Sequence, residues 1–276
     1  MMTKNIRRED MSRAVIVHAI LMTYTLVALY PIFLVIINAF KTRKGIFRDP
    51  MGLPNAETFS LEGFTKVLAK SNFEVFFFNS FSVTIITIAV VLLLGAMAAW
   101  ALSEYKFPGS TWLALYLAIG IMVPIRLNLI VDLGLINTLT ALVLVYVAQG
   151  LPLAIFILTE FMHQIPKDLK EAARCDGVGE FKIFFAIILP LIRPAVATVA
   201  VFTMIPIWND LWFPLILAPG DGKQTITLGI QQFIGQYVTD WNAVLASLSL
   251  AIIPIMILYL IFSRQLIRGL TSGAVK

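Results

Sequence analysis

Polar side chains that could do chemistry are sparse in this sequence, and they gather at three places. The first is Pro166–Gly177, where Leu169, Glu171, Ala172, Ala173 and Asp176 precede a glycine. Acids beside alanines suit a surface that another protein approaches closely. The second is Trp208-Asn209-Asp210-Leu211-Trp212, inside an apolar run. Asn209 can donate and accept, and indole faces suit the apolar face of a sugar ring. The third is Arg126, followed by Asn128, in another apolar run. A guanidinium fork fits oxyanions. Gln149, near the middle of a fourth run, is a further polar candidate. His18 and His163 stand alone, and the single cysteine, Cys175, reads as a small residue on a helix. No metal-ligand spacing and no nucleophile–base pair can be assembled, so bond-making chemistry is not expected. The phosphate loop G-x-x-x-x-G-K-[ST] does not occur.

The elements that must position these groups are apolar helices. The 276 residues are 59% hydrophobic and 13% charged, against about 25% charged in soluble domains. That excess fits a surface facing lipid, since a span needs about 20 mostly apolar residues. Six stretches qualify: Ala14–Phe40, Asn79–Ser103, Trp112–Asp132, Leu139–Phe161, Pro194–Leu217 and Val244–Phe262. They are too continuous for barrel strands. The reading is an all-α polytopic membrane protein with six transmembrane helices, its first span retained rather than cleaved as a signal peptide. The positive-inside rule places both termini in the cytoplasm. Three longer connections result: external Lys41–Phe78, cytoplasmic Met162–Arg193 and external Ala218–Ala243. The net charge of +5 is read as membrane orientation and attraction to lipid, with no nucleic acid as partner.

Within the cytoplasmic connection, Pro166 can occupy the first helical turn, and Gly177 suits the left-handed residue that ends a helix. A short helix over Lys167–Asp176 is predicted. Leu169, Ala172, Ala173 and Asp176 fall on one face by i, i+3, i+4 spacing, with Glu171 and Arg174 flanking it. A second helix, Phe181–Leu189, is expected to stop at Pro190 and again at Pro194. From the residues alone, this segment is either a connector lying on the membrane surface or a docking element.

A resemblance bears on that choice. Glu171-Ala172-Ala173, Gly177 and Ile187-x-Leu189-Pro190 resemble the signature of type I ABC importer permeases. Other stretches are similar to the maltose-type carbohydrate-uptake branch: Asn79-Ser80, Tyr105–Gly109, Leu133–Thr138, Trp208–Leu215, and the tail Arg268–Lys276, which looks like that of the smaller, second permease of a pair. The resemblance implies a single permease domain over 1–276, with a transmembrane core at 73–264 and a cytoplasmic coupling segment at 166–190. It implies a second homologous permease, an ATPase subunit dimer that binds ATP and Mg, an extracytoplasmic solute-binding protein and a sugar-type substrate. The chain itself would carry no cofactor and would be no enzyme, in a bacterial cytoplasmic (inner) membrane. Leu169, Glu171, Ala172, Ala173, Asp176 and Gly177 would couple to the ATPase. The pathway candidates are Arg126, Asn128, Gln149, Trp208, Asn209, Asp210 and Trp212, while the loop Ala218–Ala243 would reach the binding protein.

The interval Pro124–Leu133 is shorter than the family pattern, so substrate contacts transfer poorly there. Three readings of Arg126 stay open: it snorkels outward, it pairs with Asp210 or Asp132, or it binds an anionic sugar derivative such as a sulfonate, phosphate or uronate. The alternative from another class is an ion-coupled secondary transporter acting without an ATPase. No inverted repeat supports it.

Overall fold

The computed structural model describes residues 2–105, 107–120, 128–235 and 239–272. The chain divides into two compact units, one of residues 1–71 with 232–251 and one of residues 72–231 with 252–276. Among the described residues the chain is mostly helical, and its only β pairings are two isolated bridges. Among the described residues four helices are long and apolar enough to cross a membrane, and a bent helix pair makes a fifth if counted as one span.

In the first unit, α1 (Met2–Ala39) presents exposed Val, Ile, Leu and Tyr side chains along most of its apolar length. A soluble helix would hide one such face; lipid removes that need. Burial begins only at its end, around Ile37–Ala39. There the Lys41 ammonium is buried and donates to the Asp49 carbonyl at 2.7 Å. Asn242 donates to the Lys41 carbonyl at 2.6 Å, and Asn38 donates to the Pro50 carbonyl at 2.7 Å. Short helices α2 (Arg43–Arg48) and α3 (Glu62–Lys70) follow. Lys66 on α3 bridges Glu62 at 2.9 Å and Asp240 at 2.8 Å.

The second unit is built on α4 (Phe73–Glu104) and α7 (Leu139–His163), its most extensively packed pair. Gly95 and Gly150 let them approach: a Cβ at either would lie 3.1 Å from Ala154 or Val91. Small residues at a seam allow this closeness between otherwise apolar helices. α5 (Ser110–Ile119) and α6 (Asn128–Asp132) stand where one third span was expected over Trp112–Asp132, and residues 121–127 between them lie outside the described residues. The motif Leu133–Thr138 is a turn into α7. Gly134 and Asn137 have φ of 66° and 63°. The Thr138 hydroxyl accepts from the Ala141 N–H at 3.1 Å, which caps the helix.

Two further expectations are corrected. The helix after Gly177 does not stop at Pro190. It runs as α9 (Glu180–Ile183), a π-helical turn over Phe184–Ile188, and α10 (Leu189–Leu191). Proline removes an N–H and crowds the carbonyl four residues back. The wider π turn, with the Leu189 N–H bonded to the Phe184 carbonyl, lets the helix pass through that crowding. The stop comes at Ile192, where the axis bends by 76° into α11 (Arg193–Asn209). The expected span Pro194–Leu217 is likewise broken, because α11 ends at Asn209 and α12 (Trp212–Leu217) starts anew. α13 (Ile226–Gln231) lies in the loop that follows, and α14 (Trp241–Ser272) closes the chain.

Candidate functional site

α8 (Lys167–Cys175) is the predicted short helix, one residue shorter than expected, with Pro166 at the N-cap rather than the first turn. Its end is a Schellman motif: Val178 N–H donates to the Ala173 carbonyl and Gly177 N–H to the Arg174 carbonyl, each at 3.0 Å. Gly177 has φ of 75°, a conformation that costs other residues energy.

The helix has two unlike faces. Outward are Asp168, Leu169, Glu171, Ala172, Cys175 and Asp176, all exposed. Inward are Lys170 and Ala173, each buried. The predicted single face therefore divides: Leu169, Ala172 and Asp176 stay together outside, while Ala173, 7% exposed, joins the apolar core with Trp100, Met162 and Ile183. Arg174 does not flank an open face either. Its guanidinium donates to Glu104 at 2.7 Å and to Glu180 at 2.7 Å. Lys170 donates to the other Glu104 oxygen at 2.5 Å and lies 5.4 Å from the Trp100 ring centroid. The Tyr105 hydroxyl donates to Glu180 at 3.1 Å.

Four charges on α4, α8 and α9 thus close on one another. The Glu180 and Glu104 carboxylates hold the Arg174 guanidinium above its ordinary range. Apart from exposed Lys167 in its first turn, the charges left on the exposed part of α8 are acids. Sequence reasoning missed Glu104, Lys170, Glu180 and Tyr105, because Glu104 and Lys170 lie 66 positions apart and each reads singly as a solvated charge.

The second candidate region is the break between α11 and α12. Asp210 is not a residue within a span but the group that makes the break. One carboxylate oxygen accepts from the Trp212 N–H and the other from the Phe213 N–H, both at 3.1 Å. This caps the new helix. Tyr146 on α7 donates to the same carboxylate at 2.6 Å, and Thr227 on α13 donates to the Asp210 carbonyl at 2.5 Å. Asn79 at the start of α4 donates to the carbonyls of Gly222 and Gln224 at 3.0 and 2.9 Å. Asn137 receives the Gly220 N–H at 2.9 Å. Tyr146 and Thr227 carried no signal in the sequence.

The pathway candidates therefore separate. Trp208 is buried and meets Phe77 edge to face at 5.8 Å. Trp212 is 65% exposed, and Asn209 and Gln149 are exposed as well. Asn209 uses one amide N–H on the Ile205 carbonyl at 2.9 Å, leaving its carbonyl oxygen to accept. Arg126 and the side chain of Asn128 lie outside the described residues. Among the described residues no group of His, Cys, Asp or Glu is placed to hold a metal.

Comparison with known proteins bears on both regions. Residues 91–272 match the family described as binding-protein-dependent transport system inner membrane component. The chain is 30% identical to the diacetylchitobiose uptake system permease protein NgcG of Streptomyces coelicolor, over 96% of this chain and 89% of that one. It is 32% identical to the trehalose transport system permease protein SugB of Mycobacterium tuberculosis, over 90% and 93%. The fold is similar to a chain of a bacterial ABC transporter involved in import of the acidic polysaccharide alginate, with a TM-score of 0.77 over 93% of this chain and 97% of that one at 20% identity. A match over most of the chain, with full-length relatives beside it, places this protein among the inner membrane components of binding-protein-dependent transport systems.

Proposed function

We propose that this chain is the transmembrane permease of a carbohydrate importer, driven by a separate ATPase through α8. The observation that carries the coupling role is the division of α8 into a buried, charge-paired face and a fully exposed one. A helix held this firmly on one side yet bare on the other is built to take a partner. The bare face offers Asp168, Glu171 and Asp176 around Leu169 and Ala172. It asks for a cleft that is apolar in the middle and basic at its rim. The ATP and Mg would be held by the ATPase dimer, while a second permease completes the pathway and a binding protein delivers the cargo. In this reading both termini and α8 are cytoplasmic, six spans cross the bacterial inner membrane, α5 and α6 contribute the third, and 73–264 forms the transmembrane core.

A sugar is the cargo class because the named relatives carry diacetylchitobiose and trehalose. Exposed Asn209, Gln149 and Trp212 supply the hydrogen-bonding and stacking groups such a cargo needs. Arg126 extends the class to anionic derivatives, with its guanidinium meeting an oxyanion. Uptake of labelled sugars into proteoliposomes holding the full complex tests the reading. ATP-dependent uptake that requires the binding protein supports it. Uptake by the purified chain alone, following an ion gradient, refutes it. Equal impairment of neutral and anionic sugars by Arg126→Ala removes the extension to anions.

A further inference from the structure

α8 has nine residues, below the length at which a helix persists unaided, about 12–15 residues. Ala173 is the one apolar side chain that it buries, so apolar packing holds it weakly. Both of its chain connections are turns: Gln164–Pro166 before it and Gly177–Gly179 after it. A force applied to its outer face would be absorbed by those turns unless side chains fix the helix to something stiffer.

The side chains that do so are charged. Glu104 takes Lys170 on one oxygen and Arg174 on the other, at 2.5 and 2.7 Å, with Glu104 and Lys170 side chains only 12% and 7% exposed. Arg174 continues to Glu180, at the first turn of the helix that leads through the π turn to the 76° bend. Glu104 is the last residue of α4, the long helix paired along its length with α7. The network therefore joins α8 to the ends of two elements that run into the packed core.

We propose that Glu104, Lys170, Arg174 and Glu180 are positioning residues that make α8 move as one body with the ends of α4 and α9. Glu104 is the junction and turns motion of α8 into motion of the spans. This rests on the coupling role proposed above. A purely structural role would lower stability without changing how much transport each ATP yields, so the test must read the yield.

The single cysteine of the chain, Cys175, is exposed on α8 and takes a spin label without further engineering. In lipid nanodiscs holding the permeases without the ATPase, so that the outward face carrying Cys175 is uncovered, and with the partner permease free of cysteine, the label is immobilised in the parent protein. Glu104→Gln makes it mobile. In proteoliposomes the same variant lowers sugar transported per ATP hydrolysed by about tenfold, with the permease inserted and ATPase bound in normal amount. Glu104→Asp, which keeps a carboxylate facing both Lys170 and Arg174, recovers a measurable part of both readouts. Unchanged label mobility and yield in Glu104→Gln overturn the proposal, as does a Glu104→Asp variant as defective as Glu104→Gln. Should Glu104→Gln fail to insert, Arg174→Gln, which leaves the buried pair in place, is read in the same way and decides by the same outcomes. If the parent complex shows no ATP-driven uptake, the proposed function fails, while label mobility still reports on the clamp.

Discussion

Helical continuity is interrupted at α8 and again at Asp210, and the two interruptions are held by different means. At α8 two cations and two carboxylates from three helices lock together, partly buried. At Asp210 one carboxylate gathers neutral donors: a tyrosine hydroxyl and two backbone N–H groups. The charge lock joins helices whose own contacts are thin and leaves one face bare. The single carboxylate ends one helix and starts the next inside a packed region that includes Ile207, Tyr146 and Leu217. A network of opposite charges suits an element that must transmit force as a body. A hydrogen-bonded cap suits an element that only has to turn the chain.

The comparison breaks most readily at Glu104. Removing it leaves the buried Lys170 without its carboxylate. Glu104→Gln is expected to destabilise the detergent-solubilised permease by about 3 kcal/mol, read from the shift of its unfolding transition. The double replacement Glu104→Gln with Lys170→Met removes both charges and should regain most of that loss.

Asp210 comes next. Asp210→Asn should cost about 2 kcal/mol and Tyr146→Phe about 1 kcal/mol. The double variant should fall short of their sum, since both remove one shared bond. Additive losses would mean that the Tyr146–Asp210 bond contributes nothing.

Smaller effects come from exposed pairs. Glu180, two fifths exposed on its side chain, should lose less than about 1 kcal/mol on change to Gln. A larger loss would erase the contrast between buried and exposed arms of the clamp.

The smallest effect comes from Lys66–Asp240 in the other unit. Burial, the largest single influence, raises the Asp240 carboxyl, but the hydrogen bond from Lys66, the backbone N–H groups of Ala243 and Asn242 and the Lys66 charge together outweigh it, and the net shift is downward. Its stabilisation is therefore present above the unfolded value of about 3.9 and is lost as pH falls through the lower folded value. The hydrogen bond to Asp240 raises Lys66, with Glu62 adding to it. That contribution is present below about pH 10.5 and is lost as pH rises through the higher folded value. Each side chain is about one third exposed, so Lys66→Met should flatten the acid and alkaline limbs of a stability–pH curve by well under about 1 kcal/mol. An unchanged acid limb would remove the pair from the account.

The long helices were legible because runs such as Asn79–Ser103 and Leu139–Phe161 leave no other use for so many apolar residues. The α8 helix and its glycine end were legible because proline, helix formers and glycine follow in order. What escaped depends on partners distant in sequence. On a two-and-a-half-turn helix, Ala172 and Ala173 are equivalent as residue types. Only the core beneath Trp100 and Met162 decides that Ala173 turns inward. Lys170 and Arg174 looked solvated until Glu104 came beneath them. Pro190 looked like a stop, because a one-dimensional reading does not show that a π turn makes room for it. Asp210 looked like a polar residue in a span, since its cap partners follow immediately but its tyrosine lies on α7.

The most direct test of the central claim uses Glu171, exposed on the bare face of α8 and outside the clamp. In the reconstituted complex, Glu171→Lys reverses the charge offered to the partner. The account predicts normal membrane insertion, loss of ATPase stimulation by the binding protein, and loss of ATP-driven sugar uptake. Full uptake with full stimulation by that variant would contradict it.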